Sequence, residues 1–377
     1  MNQNQDWNKT RTTPRSGEAD ERMRAYLEKI ATGPRMSKDL TEAEAEDGLS
    51  LVLDHAVSEA RAAVFLIASR MKIESIGETR GFYRALDATT LKREVGLDRL
   101  LQVADAFDGF VRAPQFGFYT IPVLAQMGLP AFALSALPTA PKHGVTCEDL
   151  LIHHYGARPN TTLEERARLI EQFGFGYLGT EQCHPKLEGL RGLREEVVKR
   201  TTLATLEKML MPLKAQHTFL ASNYFHPGYE TAMIEVAKIS GFDRVLIGNG
   251  MEGSTLYGVH KQAKVYMQMG ENALAEMKLD CESLYDADTV KTLRDAFTAL
   301  KDVPAKKSEI AQLGEQALQN GSGPATPMIA HHAATLSHLS GHSRNVADAY
   351  HQAIEILKTK NTLNTLKIFI DTFNKKK

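Results

Sequence analysis

The sequence predicts an α/β protein in which an all-helical N-terminal domain packs on a larger α/β domain with a mainly parallel central sheet. Residues 22–97 carry apolar side chains at helical spacing. After residue 98, short apolar runs alternate with helical segments, a pattern typical of parallel strands covered by helices. A chain of 377 residues is long enough for both units. We therefore expect a helical domain at 22–97 and an α/β domain at 98–358.

Four short helices are predicted in the helical domain. The first carries its apolar residues from Met23 to Ile30. The second begins at Thr41, three residues before Glu44, which is the spacing of a capping box. The third runs from about Ser58 to Lys72, and the fourth covers residues 76–87.

Strand candidates in the α/β domain are short apolar runs that end in glycine or polar turns. One precedes Asp108, one covers Ala131 to Leu134, and two more fall at residues 217–223 and 244–250. Helices are predicted towards the end at Thr326 to Leu339 and Val346 to Lys358. Part of 160–200 is expected to pack against the helical domain.

The two ends of the chain are predicted to be tails. Residues 1–21 have almost no large apolar side chain besides Trp7, so burial cannot offset the entropy of ordering them. Residues 359–377 end in a lysine triplet and are predicted as a basic tail.

Bulk composition narrows the class of protein. The 45 Lys+Arg and 46 Asp+Glu residues nearly cancel, so the overall charge indicates neither a nucleic-acid nor a membrane partner. The three cysteines are widely spaced and odd in number, which indicates a reducing compartment. The sequence has neither a signal-peptide pattern nor a membrane-length apolar run, so we expect a cytoplasmic protein.

Two turns that follow strand-like runs are candidates for binding phosphate. Backbone amides and basic side chains at such turns can receive an anion. Plain strand-to-helix turns remain the alternative, because the glycine spacing matches neither a dinucleotide-binding nor a P-loop pattern. The candidate residues in the two turns are Asp105, Phe107, Asp108, Gly109, Arg112, Lys142, His143 and Gly144.

Three further constellations carry polar chemistry. Residues 184–200 are rich in basic side chains, among them Arg194, which suits either phosphate and carboxylate binding or a salt-bridged surface helix. A glycine-rich loop at 248–258 offers one carboxylate, Glu252, which is poor support for a Mg²⁺ site. His338 and His342 lack an obvious third ligand, so we predict no resident metal.

Several segments resemble one known family in the same order along the chain. They are LTEAEAEDGLSLVLDHAVSEARAAVFLIASRMK, GLPAFAL, CHPKLEGLRGLREEVVKRT, FDRVLIGNGMEG and GPATPMIAHHAATL. This set, within residues 22–358, resembles the anthranilate phosphoribosyltransferases of glycosyltransferase family 3, which share a fold with nucleoside phosphorylases. The resemblance implies a helical domain packed on an α/β domain, a homodimer, and phosphoribosyl pyrophosphate with Mg²⁺ in the cleft. It also implies substrate-binding roles for His184 and Arg194.

The sequence departs from the family where the family's site residues should stand. In the Gly-Thr-Gly-Gly-Asp turn, Phe107 replaces a glycine at a position where the backbone must approach pyrophosphate. The Asn-x-Ser-Thr motif falls on Gln115–Phe118, and the metal-binding Asp-Glu pair falls on Thr255–Leu256. The Lys-His-Gly-Asn motif falls on 133–136, so Lys142–Gly144 stands nine residues later. The pattern indicates a divergent branch of the family with altered active-site motifs.

Two functional hypotheses follow. The first is a glycosyl- or phosphoribosyl-transferring enzyme with a changed substrate, which uses Arg112, Lys142, His143 and Arg194 around the cleft and needs Mg²⁺ only with phosphoribosyl pyrophosphate. The second is a non-catalytic protein on the same fold that binds nucleic acid or a phosphorylated small molecule, motivated by the basic cluster at 186–200. Catalytic residues are not assigned.

Overall fold

A computed structural model describes residues 17–33, 35–271, 273–359 and 361–375. The strands are β1 Arg93–Glu94, β2 Arg99–Ala104, β3 Ala131–Ser135, β4 Phe175–Gly179, β5 Leu213–Lys214, β6 His217–Asn223, β7 Arg244–Gly248, β8 Ala263–Met269 and β9 Ala273–Leu279. The helices are α1 Glu18–Ile30, α2 Glu42–Leu53, α3 Glu59–Lys72, α4 Ile76–Thr89, α5 Gly117–Gln126, α6 Cys147–Asp149, α7 Leu163–Phe173, α8 Thr180–Cys183, α9 Pro185–Glu188, α10 Arg191–Val197, α11 Leu203–Leu206, α12 Tyr229–Ala237, α13 Cys281–Leu284, α14 Ala287–Leu300, α15 Lys307–Asn320, α16 Ala325–Leu339, α17 Val346–Thr359 and α18 Thr362–Asn374.

Helices α1 to α4 form the predicted helical unit. The capping box that opens α2 is confirmed: the Glu44 amide donates to Thr41 Oγ1 at 3.2 Å and the Thr41 amide donates to Glu44 Oε2 at 3.0 Å. Gly81 lets α4 approach α2 closely, because a Cβ there would lie 2.2 Å from the Glu42 carbonyl oxygen. Phe65 and Phe82 pack edge to face at the centre of this unit.

The described residues of the α/β domain build a seven-stranded sheet in the order β4-β3-β2-β6-β7-β8-β9. Strands β4, β3, β2, β6 and β7 pair in parallel, and β8 and β9 add an antiparallel edge. The prediction of a mainly parallel sheet beside a helical domain is therefore confirmed. Strands β1 and β5 form a separate parallel pair.

Helices cover both faces of the sheet, and strand alternation assigns each side chain to a face. In β2, Leu100 packs with the cluster that contains the helical domain, whereas the adjacent Leu101 packs with α5 and α14–α18 on the other face. Leu187, Leu190 and Leu193 lie in the same cluster as the helical domain. The apolar runs seen in the sequence are continuous because the sheet is buried on both faces.

The predicted tails differ from the structure at both ends. Helix α1 begins at Glu18, inside the segment predicted as a tail, while residues 1–16 lie outside the described residues. The basic tail predicted at 359–377 was wrong for 362–374, which form α18. Leu366, Phe369 and Phe373 of that helix are buried in the core, and their burial orders the segment despite the lysines beyond it.

Sequence reasoning also missed β4, β8 and β9. Strand β4 is the run FGYLG, whose two glycines weaken the strand signal. In β9 the side chains are mostly exposed, so the segment lacks the buried run of a central strand. Among the described residues, no helix is long and apolar enough to cross a membrane.

Candidate functional site

A cavity of about 1160 Å³, counting its open mouth, lies at the carboxyl ends of the parallel strands. In the sheet, β3 and β4 lie on one side of β2, and β6 and β7 lie on the other. Strand order therefore reverses between β2 and β6, and such a reversal leaves a crevice in which α/β proteins bind ligands. Loops after β2, β3, β6 and β7 line the cavity, and Arg70 of α3 adds a side chain from the helical domain.

Basic side chains outnumber acidic ones in the cavity wall. Of the residues that the structure describes, seven Lys or Arg side chains and three carboxylates line it. A concave wall with a surplus of one charge concentrates ligands of the opposite charge, so this cavity favours anions. The basic residues are Arg70, Arg112, Lys142, Arg194, Lys199, Arg200 and Lys208, and the acidic ones are Asp108, Glu207 and Glu252.

The two turns that the sequence offered for phosphate binding lie against each other. Gly109 has φ +77°, and a Cβ on it would lie 2.3 Å from the carbonyl of Gly144. Next to this contact, the Phe110 amide donates to the Val145 carbonyl at 3.2 Å, and the Val145 amide donates to the Phe110 carbonyl at 3.0 Å. Only glycine permits such a close approach, so both glycines serve loop packing.

Glu252 holds the first of these turns in place from the loop after β7. Its backbone has φ +52°, a left-handed conformation that is unfavourable for a residue with a Cβ. The carboxylate accepts hydrogen bonds from the amides of Val111 at 3.1 Å and Arg112 at 3.0 Å, and lies 3.5 Å from Lys142 Nζ. The Glu252 carboxylate therefore binds two backbone amides and a lysine that could otherwise bind an anionic ligand.

Asp108 forms a second charge cluster in the wall. Its side chain is 6% exposed, and Oδ2 accepts from Arg200 Nε at 2.8 Å. Lys142 Nζ lies 3.7 Å from Oδ1, so Lys142 stands between the carboxylates of Asp108 and Glu252. Arg70 donates to the Arg200 carbonyl, which ties the helical domain to this cluster.

Arg194 lines the cavity with its guanidinium already paired. Its two terminal nitrogens donate to the Glu207 carboxylate at 2.7 and 2.9 Å, in a bidentate pair. The Glu207 side chain is only 1% exposed. Arg112 and Lys199 differ, because neither side chain has a carboxylate within 4.0 Å among the described residues. These two cations are the ones most available to a ligand.

Lys208 is a buried amine in the same wall. Its Nζ donates to the Asn223 carbonyl at 2.5 Å and lies 3.2 Å from Asn223 Oδ1. Burial lowers the pKa of Lys208 to about 8, although the carboxylates of Asp105 and Glu207 oppose the shift. The amine therefore titrates close to physiological pH.

The structure divides the ten predicted site residues into two groups. Half of them line the cavity, namely Phe107, Asp108, Arg112, Lys142 and Arg194. The other half lie outside its wall, namely Asp105, Gly109, His143, Gly144 and His184. Gly109 and Gly144 form the loop contact already described.

The remaining three side chains have protein partners. Asp105 accepts from the Thr255 amide at 2.8 Å, and burial raises the pKa of its carboxyl group. His143 Nε2 lies 3.1 Å from Glu195 Oε2. His184 is fully buried, accepts from the Leu187 amide through Nδ1 at 3.0 Å, and has Nε2 2.9 Å from a carbonyl. A ligand-binding role for His184 has no geometric support, because both ring nitrogens are engaged in the protein interior.

The predicted basic cluster at 186–200 is largely neutralised by neighbouring carboxylates. Lys186 pairs with Asp54, Arg191 with Glu188, Arg194 with Glu207 and Arg200 with Asp108. In the chain as described, no group of three or more His, Cys, Asp or Glu side chains could hold a metal ion. His342 Nε2 instead lies 3.1 Å from the Met127 carbonyl.

Sequence reasoning missed Arg70, Lys208 and the aromatic loop from Tyr224 to Tyr229 as parts of the site. The sequence could have predicted the loop, because it directly follows the predicted strand at 217–223. Loops at the carboxyl ends of parallel strands commonly bind ligands. No sequence pattern predicts Arg70 or Lys208 as site residues. Arg70 reaches the cavity because the helical domain packs on the α/β domain, and Lys208 reaches it from a buried turn after α11.

The fold and the cavity together define a two-domain α/β protein with a cation-rich cleft between its domains. Comparison with known proteins narrows this class. A sequence model described as "Glycosyl transferase family, helical bundle domain" matches residues 24–90. The anthranilate phosphoribosyltransferase of Symbiobacterium thermophilum is 26% identical over 61% of this chain and 65% of its own length. That of Aeropyrum pernix is 23% identical over 85% of this chain and 89% of its own length.

Solved structures agree in fold. Anthranilate phosphoribosyltransferase from Thermus thermophilus aligns with a TM-score of 0.70 and 21% identity, over 90% of this chain and 97% of its own. The Saccharomyces cerevisiae enzyme, solved in complex with PRPP and Mg, aligns with a TM-score of 0.74 and 15% identity, over 93% and 97% of the two chains. The chain matches just under two thirds of the length of the Symbiobacterium and Rubrobacter xylanophilus relatives, 65% in each case. The chain is therefore similar to anthranilate phosphoribosyltransferases in sequence and in fold, and its residues 24–90 match the helical bundle domain of a glycosyl transferase family.

Proposed function

We propose that the cavity binds a phosphorylated ligand, and that the chain is a glycosyl- or phosphoribosyl-transferase relative other than an ordinary anthranilate phosphoribosyltransferase. The surplus of Lys and Arg in a cavity at the reversal point of the sheet carries the proposal. Arg and Lys are the side chains best suited to bind phosphate oxygens. The S. cerevisiae structure with PRPP and Mg supports a phosphorylated sugar as the ligand class.

Arg112 and Lys199 are the proposed phosphate contacts. Both line the cavity and neither has a carboxylate partner among the described residues, so a ligand would not displace an existing ion pair. Arg200 and Lys142, by contrast, both pair with Asp108.

The residues present do not fit the Mg²⁺ ion that accompanies PRPP in the yeast structure. Magnesium prefers carboxylate oxygens together with waters and phosphate oxygens. The cavity carboxylates of Asp108, Glu207 and Glu252 are each bound to Arg, Lys or backbone amides. The position of the family's metal-binding pair, Thr255–Leu256, is buried and neither residue carries a carboxylate, and the neighbouring Asp105 carboxylate accepts from the Thr255 amide. We therefore propose metal-free binding.

The altered turn supports an activity different from ordinary anthranilate phosphoribosyl transfer. Phe107 is 2% exposed and fills the position where the family has a glycine that approaches pyrophosphate. The Glu252 carboxylate binds the amides of Val111 and Arg112, which removes two donors from the same turn. Stabilisation of a leaving pyrophosphate would lose both the close backbone approach and the metal.

Binding is tested by titration calorimetry of the full chain with ribose 5-phosphate, pyrophosphate and phosphoribosyl pyrophosphate, with and without Mg²⁺. We expect binding without Mg²⁺ that weakens as salt rises. Arg112→Ala and Lys199→Ala should each weaken it about tenfold, since a hydrogen bond to a charged group contributes ~1.5–3 kcal/mol before solvent screening. Arg168→Ala, an exposed arginine on α7, is the matched control. If none of these phosphates binds at low salt, the proposal fails.

Catalysis is tested separately by the loss of anthranilate fluorescence in the presence of phosphoribosyl pyrophosphate and Mg²⁺. We expect no turnover above the uncatalysed rate. Turnover at a rate typical of enzymes, on the order of 1 s⁻¹ or more, would show an ordinary anthranilate phosphoribosyltransferase and contradict this part of the proposal.

Nucleic acid is the second candidate ligand. The basic cluster that motivated it is paired with carboxylates, for example Lys186 with Asp54, so the geometry favours a small phosphorylated ligand. A mobility-shift assay with single- and double-stranded DNA and RNA across a salt series decides between them, because phosphate contacts weaken steeply with salt. Tight, salt-dependent binding of nucleic acid would favour the second candidate.

We also propose a homodimer, formed through an exposed apolar face of the helical domain. On and beside α3, Val64, Met71 and Ile73 are 47%, 74% and 78% exposed. An apolar patch of this kind commonly marks a protein interface. Light scattering should show a dimer that Met71→Glu dissociates, whereas Ile368→Glu on α18, at a residue 48% exposed, should not. A monomeric wild-type chain would refute this proposal.

A further inference from the structure

An aromatic loop forms one wall of the cavity. It follows β6 and carries the run Tyr-Phe-His-Pro-Gly-Tyr at residues 224–229. Phe225 and Tyr229 both line the cavity, and they are 43% and 37% exposed. Large rings left open to water inside a concave site carry apolar surface that a ligand can cover.

The position of Phe225 is set by its neighbours. A Cβ on Gly253 would lie 2.8 Å from the ring, so the glycine makes room for Phe225 against the loop after β7. The guanidinium of Arg112 lies 5.5 Å from the ring centroid, in a cation–π contact. Ring and cation therefore belong to one surface, and a ligand that touches one lies within reach of the other.

Charge and shape together select the class of ligand. Because basic side chains outnumber acidic ones in the cavity wall, we expect a ligand with more than one negative charge. A simple aromatic monocarboxylate carries only one. A sugar phosphate supplies the charge but leaves the aromatic wall uncovered. We propose that the cavity binds a free nucleotide, with its base against Phe225 and Tyr229 and its phosphates on Arg112 and Lys199. This inference rests on the proposed phosphate site and adds the base to it.

A single nucleotide fits better than a nucleic-acid strand. Basic side chains of the 186–200 cluster that do not line the cavity are paired, as in Lys186 with Asp54 and Arg191 with Glu188. A longer polyanion would meet these neutralised pairs outside the cavity, so added nucleotides should contribute little affinity.

The test compares AMP with ribose 5-phosphate by titration calorimetry, because the two share a phosphate monoester and differ by the base. We expect AMP to bind at least fivefold more tightly, since stacking of one base on aromatic side chains contributes about 5- to 150-fold in affinity. Phe225→Ala should abolish most of that advantage, so that AMP and ribose 5-phosphate bind this variant with similar affinity. Phe225→Trp, which keeps a stacking surface, should retain it, and Leu274→Ala, at an exposed apolar residue of β9, is the control.

The outcomes separate the two proposals. Equal affinity for AMP and ribose 5-phosphate, or equal loss of both in Phe225→Ala, overturns the nucleotide inference and leaves the phosphate site intact. Failure of both ligands to bind overturns the phosphate site itself. If Phe225→Ala does not fold, Tyr229→Ala serves the same comparison. Much tighter binding of a single-stranded oligonucleotide than of AMP would show a strand-binding site and refute the free nucleotide.

Discussion

The Arg194–Glu207 pair offers a quantitative test of how the cavity wall is built. Glu207→Gln removes one charge from a bidentate pair in which the Glu207 side chain is 1% exposed and the Arg194 side chain 14% exposed. Each hydrogen bond between charged groups contributes ~1.5–3 kcal/mol, and breaking a buried pair costs ~3–5 kcal/mol because the remaining charge is left unpaired. Glutamine can still accept one of the two bonds. We therefore expect the free energy of unfolding to fall by about 3 kcal/mol.

Urea unfolding followed by circular dichroism measures this effect. Glu276→Gln is the matched control, because Glu276 pairs with Lys264 at 3.0 Å with both side chains 43% exposed, and such a pair contributes ~0.2–1 kcal/mol. Inorganic phosphate should stabilise Glu207→Gln more than wild type, since the freed Arg194 guanidinium gains an anion. A loss of less than about 1 kcal/mol in Glu207→Gln would refute the view that the pair is a buried structural element.

Three further predictions concern Lys208 in the cavity wall, helix α18 and the contact between Gly109 and Gly144. Because the pKa of Lys208 is about 8 in the fold and 10.5 as the ordinary value, the folded protein binds fewer protons between these pH values, so its stability rises with pH there. Relative to Lys208→Met, wild type should gain ~2–3 kcal/mol from pH 8 to pH 10 in urea unfolding. Phe373→Ala should lower the free energy of unfolding by ~3–5 kcal/mol, because the ring is 2% exposed. Gly144→Ala should destabilise the protein and weaken phosphate binding, because the added Cβ would lie 2.5 Å from the backbone of Phe110.

A difference between wild type and Lys208→Met that does not change with pH would show that the amine keeps its ordinary pKa. Ile368→Ala, at the exposed face of α18, should change stability by less than ~0.5 kcal/mol, and an equal effect of Phe373→Ala would contradict burial of the helix. Gly192→Ala, whose Cβ has nothing within 4 Å, should not weaken binding, and a tolerated Gly144→Ala would contradict the tight loop contact.

Much of the fold could be predicted because its signals are local. The capping box at Thr41 and the strand run at 217–223 depend on residues close together in sequence, and both agree with the structure. Strand β4 was missed because its stability comes from pairing with β3 rather than from its own glycine-rich composition. Helix α18 was missed because a lysine triplet is typical of a solvated tail, whereas the apolar residues before it are ordered by burial against the core.

The candidate site was predictable only in part. Arg112 and Lys142 follow strand-like runs, a pattern that predicts a place at the carboxyl ends of the strands, and both line the cavity. The tripeptide at Lys142–Gly144 has a different role from the phosphate loop that it resembles: Gly144 packs on Gly109, and Lys142 lies between two carboxylates. A tripeptide does not encode such partners, because they come from loops far away in the sequence.

Sequence alone determined the fold class, the order of the two domains and the strands whose carboxyl ends form the cleft, because periodicity, caps and turn residues act over a few positions. Only the tertiary structure decided which charges in the cleft are paired. Glu252 and Glu207 take up nearby donors, whereas Arg112 and Lys199 have no carboxylate partner among the described residues. The physical reason is that an ion pair depends on distances of a few ångströms, and these distances are set by the tertiary packing of segments that lie far apart in the sequence.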